Sequence, residues 1–309
     1  MGTFLIAVKT VLPLFLVIGI GTLFSRTKAS NANWIEVLNK YALYIGFPAL
    51  VIASLMHLEV GEQSYSKLIL FTSGYIVFCI LLAFPVAKAF RFSSKMRRTL
   101  FLILPFGNIA YLGLPVLQNT FGDEILPVAA IVSALYIFWL LTLAMILVEV
   151  YGDDKLHPRK LVVSLAQNPL LISVIVGLAI VFFNIKLPEV AQQTIQLFSD
   201  SVTPVVLFAL GMFLGMQKIG KLREWLGVFA FVVVTMLVLP FVFYQFLKGA
   251  NFDTQLLKAS VIDAAMPMGL TPYALSLQYK LETTLAARIV VLGTLLSIFI
   301  IPLWMVWLG

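Results

Sequence analysis

The sequence predicts an all-α polytopic membrane protein, and three observations carry that reading. Hydrophobic residues make up 61% of the 309 positions and charged residues only 11%, against about a quarter charged in a soluble domain. No soluble core of this length buries so much apolar surface, and the mean hydropathy of +1.03 says the same. The apolar runs are twenty-odd residues long rather than alternating tens, which excludes a porin-like barrel. A disordered chain and a disulfide-stapled module are excluded too. The single cysteine, Cys79, sits inside an apolar run, so neither an intrachain disulfide nor a cysteine metal site is expected.

A spanning helix needs about 20 apolar residues, and ten segments qualify. Segment 1, 3–25, is too long for a signal-peptide core and has no small-residue cleavage site before "FSRTKASNANW", so it reads as a helix. Segments 2 and 3 follow at 34–57 and 67–90. The run "KAFRFSSKMRR" at 88–98 reads as a topology determinant beside anionic lipid. Segments 4 (97–121) and 5 (124–151) complete a first half, 1–151. The longest polar connection, "YGDDKLHPRK", supplies a cytoplasmic linker at 152–160. The second half, 161–309, holds segments 6 (161–184), 7 (189–214), 8 (222–247), 9 (254–279) and 10 (282–308). Connections this short leave no room for a soluble catalytic domain. Trp225, Trp304 and Trp307 read as interface anchors.

Orientation follows from the cations. Arg26, Lys28, Lys40, Lys88, Arg91, Lys95, Arg97, Arg98, Lys155, Arg159, Lys160, Lys218, Lys221, Arg223 and Lys280 fall on one side, fifteen of the 21 Lys and Arg. Lys9, Lys67, Lys186, Lys248, Lys258 and Arg288 lie on the other side or inside helices. The positive-inside rule places the larger group in the cytoplasm and both termini outside it. The net charge of +7 is thus loop charge and not a nucleic-acid footprint.

Prolines mark a repeat, since each breaks or kinks a helix. Pro13 recurs as Pro169, Pro48 as Pro204, Pro85 as Pro240 and Pro115 as Pro272, at offsets of 155 to 157. Each copy holds five segments, so the second is expected upside down relative to the first, the pattern of secondary transporters. In such folds the substrate site lies at discontinuous helices in matching positions of the two halves. Segments 4 and 9 have the densest breakers: Gly107, Gly113 and Pro115 beside Asn108 in the first, Pro267, Gly269 and Pro272 beside Thr271 in the second. An opened hydrogen-bond ladder exposes backbone groups, and half-helix N-termini attract anions. The alternative is that these residues merely kink tightly packed helices.

These motifs resemble the auxin efflux carrier family. "GNIAYLGLPVLQNTFGDE" resembles its segment-4 signature through Asn108, Gly113 and Pro115, and "AAMPMGLTPYALSLQYKLE" is similar to its Pro-x-Gly-x-x-Pro stretch in segment 9. "LNKYALYIGFPALVIASL" and "SVTPVVLFALGMFL" resemble segments 2 and 7. The resemblance covers essentially the whole chain. It implies ten helices in two inverted five-helix repeats, as in sodium/proton antiporters and bile-acid symporters. It also implies a scaffold of segments 1, 2, 6 and 7, a transport domain of segments 3–5 and 8–10 with crossed segments 4 and 9, and carriage of organic anions. The short linker resembles bacterial members, among them malate and malonate carriers, rather than plant hormone exporters.

Asn108 lies ten residues into segment 4, about 15 Å deep at 1.5 Å per residue. Its amide can donate two hydrogen bonds to a carboxylate, and the resembling family places a substrate-binding Asn here. Gly107, Tyr111 and Thr271 are candidate neighbours in the same site. Asp263 and Asp200 are the acids well inside helices. An intramembrane acid costs roughly 2.5–3.5 kcal/mol to insert, so they are candidates for a coupled proton or sodium site. The structural alternatives are an Asp263–Arg288 ion pair, and an Asp200 that caps or pairs near Lys186 or Lys9. Lys9 reads as snorkelling to the interface. His57 and His157 have no His, Cys or Asp cluster beside them, so no metal role is expected, and no cofactor either.

The sequence therefore points to a secondary carrier of small organic anions in a bacterial inner membrane, working by an elevator or rocking motion. Its expected partners are the anion, a proton or sodium ion and the bilayer, with a homodimer as one mode of assembly. The alternative is a cation/proton antiporter using Asp263 and Asp200. No Ser/His/Asp or metal constellation supports an enzyme, and no soluble signalling domain supports a receptor.

Overall fold

A computed structural model describes residues 2–56, 65–152, 158–217, 224–250 and 252–309. Among these residues the chain is all-helical, with one isolated antiparallel bridge, Gly107 to Met268. Lys155, Lys218, Lys221, Arg223, both histidines and most of the predicted 152–160 linker lie outside the described residues.

Among the described residues, seven helical runs are long and apolar enough to cross a membrane. The first is α1 (Gly2–Phe24), and the second joins α2 (Ala32–Tyr41) to α3 (Phe47–Met56). The third is α4 (Tyr65–Ala89). A later run joins α7 (Leu126–Trp139) to α8 (Met145–Val150). Next come α11 (Glu189–Met216), α12 (Trp225–Val233) with α13 (Leu239–Gly249), and α16 (Thr283–Leu308).

The three remaining predicted segments are each two shorter helices. Segment 4 is α5 (Ser94–Ile103) and α6 (Leu114–Phe121), segment 6 is α9 (Pro158–Ala166) and α10 (Pro169–Phe182), and segment 9 is α14 (Thr254–Ala264) and α15 (Leu270–Gln278). The sequence reading of segment 6 as continuous is corrected here. Asn168 Oδ1 accepts from the N–H groups of Leu170 and Leu171 and starts α10 afresh, with Pro169 as its first residue.

Prolines shape the helices less by breaking them than by widening the turn before them. Proline lacks an N–H, and its ring crowds the carbonyl four residues back. Three π turns, Ala42–Gly46, Ile109–Gly113 and Val234–Val238, each end two residues before a proline: Pro48, Pro115 and Pro240. A fourth, Leu140–Ala144, has no proline behind it. Pro13, Pro85, Pro204 and Pro302 sit inside long α-helices.

Small residues set the closest packing. A Cβ on Gly211 of α11 would meet the Ile18 carbonyl oxygen of α1 at 2.0 Å, so only glycine lets these backbones touch. Thr22 Oγ1 donates to the Gly211 carbonyl at 2.9 Å across the same seam. Helix α3 packs on α10 and α11, α4 on α5 and α7, α12 on α16, and α13 on α14. The site therefore lies inside a continuous apolar core.

Trp304 is a correction to the sequence reading. It is buried, and its indole Nε1 donates to the Met236 carbonyl at 2.8 Å, so it satisfies a π-turn carbonyl rather than anchoring the chain at an interface. The basic run at 88–98 likewise has partners within the chain. Ser93 Oγ caps α5 by accepting from Met96 N–H, Arg98 Nε donates to the Val148 carbonyl, Lys95 pairs with Glu282, and the Arg97 guanidinium lies over the Tyr151 ring.

Candidate functional site

The two interruptions, at residues 104–108 and 265–269, meet each other. Asn108 N–H donates to the Pro267 carbonyl at 2.6 Å, and Gly269 N–H donates to the Phe106 carbonyl at 3.2 Å. In hydrocarbon a freed backbone group must find a partner inside the protein, and these segments satisfy each other. The sequence expectation that the whole interruption exposes its backbone to solute is corrected to that extent. Pro267 and Gly269 belong to the interruption, whereas Gly113, Pro115 and Pro272 lie within helical turns. Pro115 is the second residue of α6 and Pro272 the third of α15.

What stays free is the start of each second half-helix. The first turn of a helix has N–H groups with no intrahelical acceptor. Ile109 and Ala110 open one such turn, Leu270 and Thr271 the other, and all four line a single cavity of about 50 Å³. Asn108, Gly107, Tyr111 and Thr271, the four residues expected to bind substrate, line this same cavity. Asn108 is only 3% exposed, and its Nδ2 has no hydrogen-bond partner among the described residues. The Tyr111 ring is held edge-on against Phe47 at 5.3 Å.

Sequence reasoning missed the apolar wall and two members with hydroxyls, Ser133 and Tyr136 of α7. Ser133 is buried, and its hydroxyl has no partner among the described residues. The available signal was a hydroxyl in the middle of an otherwise apolar helix, "PVAAIVSALYIFW". No local motif distinguishes it from a serine bonded to its own backbone.

Asp263 comes from the last turn of α14 and is 1% exposed. It does not line the cavity but lies just behind it. A Cβ placed on Gly113 would fall 2.6 Å from Asp263 Oδ1 and 3.6 Å from the Asn108 carbonyl, so the acid packs against bare helix backbone. Asp263 Oδ1 has no hydrogen-bond partner among the described residues. The expected alternative of an Asp263–Arg288 ion pair is corrected: Arg288 pairs with Glu224. Asp200 stands apart, exposed on α11 and accepting from Gln196 Nε2 at 2.7 Å, with neither Lys186 nor Lys9 as partner. Among the described residues no group of His, Cys, Asp and Glu could hold a metal ion.

Fold and site together define a multi-pass membrane protein whose interior holds a small, mostly apolar cavity with a few polar groups, built from two interrupted helices and α7. The chain belongs to a family of membrane transport proteins: the family model of that description matches residues 6–305. This is the auxin efflux carrier family that the sequence motifs resemble, a family of transporters rather than enzymes. A Rhizobium meliloti protein named "Putative malonate transporter" is 24% identical over 297 residues, covering 93% of this chain and 91% of that protein. An uncharacterized transporter of Methanocaldococcus jannaschii is 24% identical over 303 residues, 96% of each chain. Auxin efflux carrier component 3 of Arabidopsis thaliana is 27% identical over 151 residues, 47% of this chain and 23% of that protein.

Proposed function

We propose that the protein is a secondary carrier of small organic anions and that the cavity at the crossing of segments 4 and 9 holds one carboxylate. The observation that carries this reading is the convergence of two half-helix N-termini, the Asn108 amide and the Ser133 hydroxyl on one 50 Å³ space. Helix N-termini favour anions through their free N–H groups and dipole. A volume of this order admits a carboxylate or one or two waters, so the body of the substrate extends outside it. Malonate and auxin, the compounds for which the relatives are named, are both carboxylic acids.

The membrane arrangement belongs to the same proposal. Ten segments form two inverted repeats, segments 1, 2, 6 and 7 act as a scaffold, and the other six carry the site past it in an elevator motion. Close packing of α1 on α11 and of α3 on α10 supports a scaffold of this composition. The cationic loops face the cytoplasm of a bacterium and both termini face outward.

Asp263 favours coupling to a proton or a sodium ion. It is a buried acid against the site, with an oxygen that lacks a partner among the described residues. The paired-acid antiporter has less support, since Asp200 lies exposed on α11. The test is uptake of radiolabelled malonate, malate and benzoate into proteoliposomes, with imposed proton or sodium gradients. Saturable uptake of a carboxylate that Asp263→Asn uncouples from the gradient is the expected result. Gradient-driven sodium/proton exchange with no carboxylate uptake would overturn the proposal.

A further inference from the structure

A second and much larger cavity, about 890 Å³, opens between α1, the end of α11, the start of α12, α15 and α16. Arg26 and Arg288 both line its wall, and among the described residues no Asp or Glu does. The Arg288 guanidinium is paired with Glu224 and sits 6.0 Å from the centre of the Trp225 ring, while its Nε has no hydrogen-bond partner among the described residues. Six residues further along α16, about 9 Å deeper by helical rise, the Thr294 hydroxyl lines the same cavity. It is 1% exposed and also without a partner among the described residues. Much of the remaining wall is apolar or aromatic, with Tyr273 of α15 placed four residues after Gly269 of the interruption.

From this arrangement we infer that the cavity is a second anion site, a vestibule in which Arg288 exchanges Glu224 for the carboxylate of an amphipathic organic acid. The inference rests on the anion-carrier reading above. Arginine is suited to this exchange because its planar fork meets either carboxylate in the same geometry. The Glu224 pair orients the guanidinium until a ligand arrives, and because the pair is partly exposed it holds the arginine weakly enough to be exchanged. The apolar surface between the arginines and Thr294 fits the hydrocarbon body of the acid, so a carboxylate with an aromatic body is preferred over malonate here. Two sites along one wall, the vestibule for capture and the crossing for carriage, let a substrate whose body is too large for 50 Å³ stay partly dehydrated throughout.

The test is calorimetric titration of the purified full-length protein with benzoate and with malonate, across Arg288→Gln, Glu224→Gln, Thr294→Val and Asn108→Ala. Benzoate is expected to bind with a tenfold or greater loss in Arg288→Gln. Glu224→Gln, which removes the competing carboxylate, is expected to bind at least twofold more tightly than wild type. Thr294→Val, which keeps the side-chain shape, weakens binding severalfold and decides the matter if Arg288→Gln does not fold. A Glu224→Gln loss as large as that of Arg288→Gln would make the pair a structural clamp and overturn the inference, as would wild-type affinity in Thr294→Val or Arg288→Gln, or no saturable benzoate binding to the wild type. Asn108→Ala separates the two proposals. Benzoate binding that survives in it while uptake is lost supports both sites. Uptake that survives in it removes the crossing site and leaves the vestibule, and benzoate binding that fails in Asn108→Ala but not in Arg288→Gln removes the vestibule alone.

Discussion

Asn108 gives its backbone N–H to the carbonyl of Pro267, 2.6 Å away. With the return bond from Gly269 to Phe106, the crossing of the two interrupted helices is closed by main-chain groups alone. Two of its N–H groups and two of its carbonyls are thus satisfied without any side chain. The Asn108 amide has no part in that closure and is left facing the cavity.

Asn108→Ala should therefore fold normally and transport poorly. The backbone bond to Pro267 is untouched, so the melting temperature in detergent should move little. A hydrogen bond to a charged group is worth about 1.5–3 kcal/mol, or roughly 10–100-fold in affinity. Malonate uptake at low concentration should fall by that order. Unchanged uptake would return Asn108 to a packing role.

Gly113→Ala should destabilise the protein, although alanine is the better helix former by about 1 kcal/mol. The added methyl would sit 2.6 Å from Asp263 Oδ1 in a closed interior, and overpacking of this kind costs ~1–3 kcal/mol. Asp263→Ala in the same chain should recover the loss. Thermal unfolding of the two single variants and the double variant measures the coupling, and simple additivity would show that the two residues do not press on each other.

Pro115→Ala and Pro272→Ala should both retain uptake within roughly threefold of wild type, a difference of under 1 kcal/mol. Pro272 lies in the first turn of its half-helix, where proline is tolerated, and Pro115 stands two residues after the π turn that opens its own, so neither proline ends a helix. The interruptions lie upstream, at 104–108 and 265–269. Loss of uptake in either variant with normal membrane insertion would show that the prolines hold the site open after all.

Trp304→Phe should cost about 1 kcal/mol, the worth of one hydrogen bond, because the Met236 carbonyl loses its donor. Trp307→Phe, half-exposed on the same helix, should change stability by less than about 0.5 kcal/mol. Melting temperatures of the two variants, compared in the same detergent, check the contrast.

Hydropathy alone located the seven runs that, among the described residues, are long and apolar enough to span a membrane, because apolar length is a property of composition along the chain. The neighbourhood of Asn108 was equally legible: Gly107, Tyr111 and Thr271 reach the same cavity because interrupted helices must meet where they are interrupted. What escaped was the main-chain hydrogen bonding of one interruption to the other. It depends on two stretches about 160 residues apart lying antiparallel, which no local pattern records. Ser133 escaped for the same reason, arriving from a third helix with no motif of its own. Arg288 and Asp263 were open to being read as partners because opposite charges in apolar helices invite it. The structure gives Arg288 to Glu224, a residue beside the predicted helix start and so without obvious significance in the sequence.

A π turn is a one-residue insertion into an α-helix, and at 3.6 residues per turn it advances everything after it by about 100°. Within the half-helix that starts at Ile109, the stretch Ile109–Gly113 therefore turns α6 away from where a uniform α-helix with the same start would place it, and the face that α6 shows to α14 is set by that turn. Ala42–Gly46 and Val234–Val238 do the same for α3 and α13. An apolar stripe traced through any of these three points belongs to two different faces, which blurs its periodicity. Shortening Ile109–Gly113 by one residue would rotate α6 by that same angle, and the bare backbone that now meets the Asp263 carboxylate would be replaced there by a side chain.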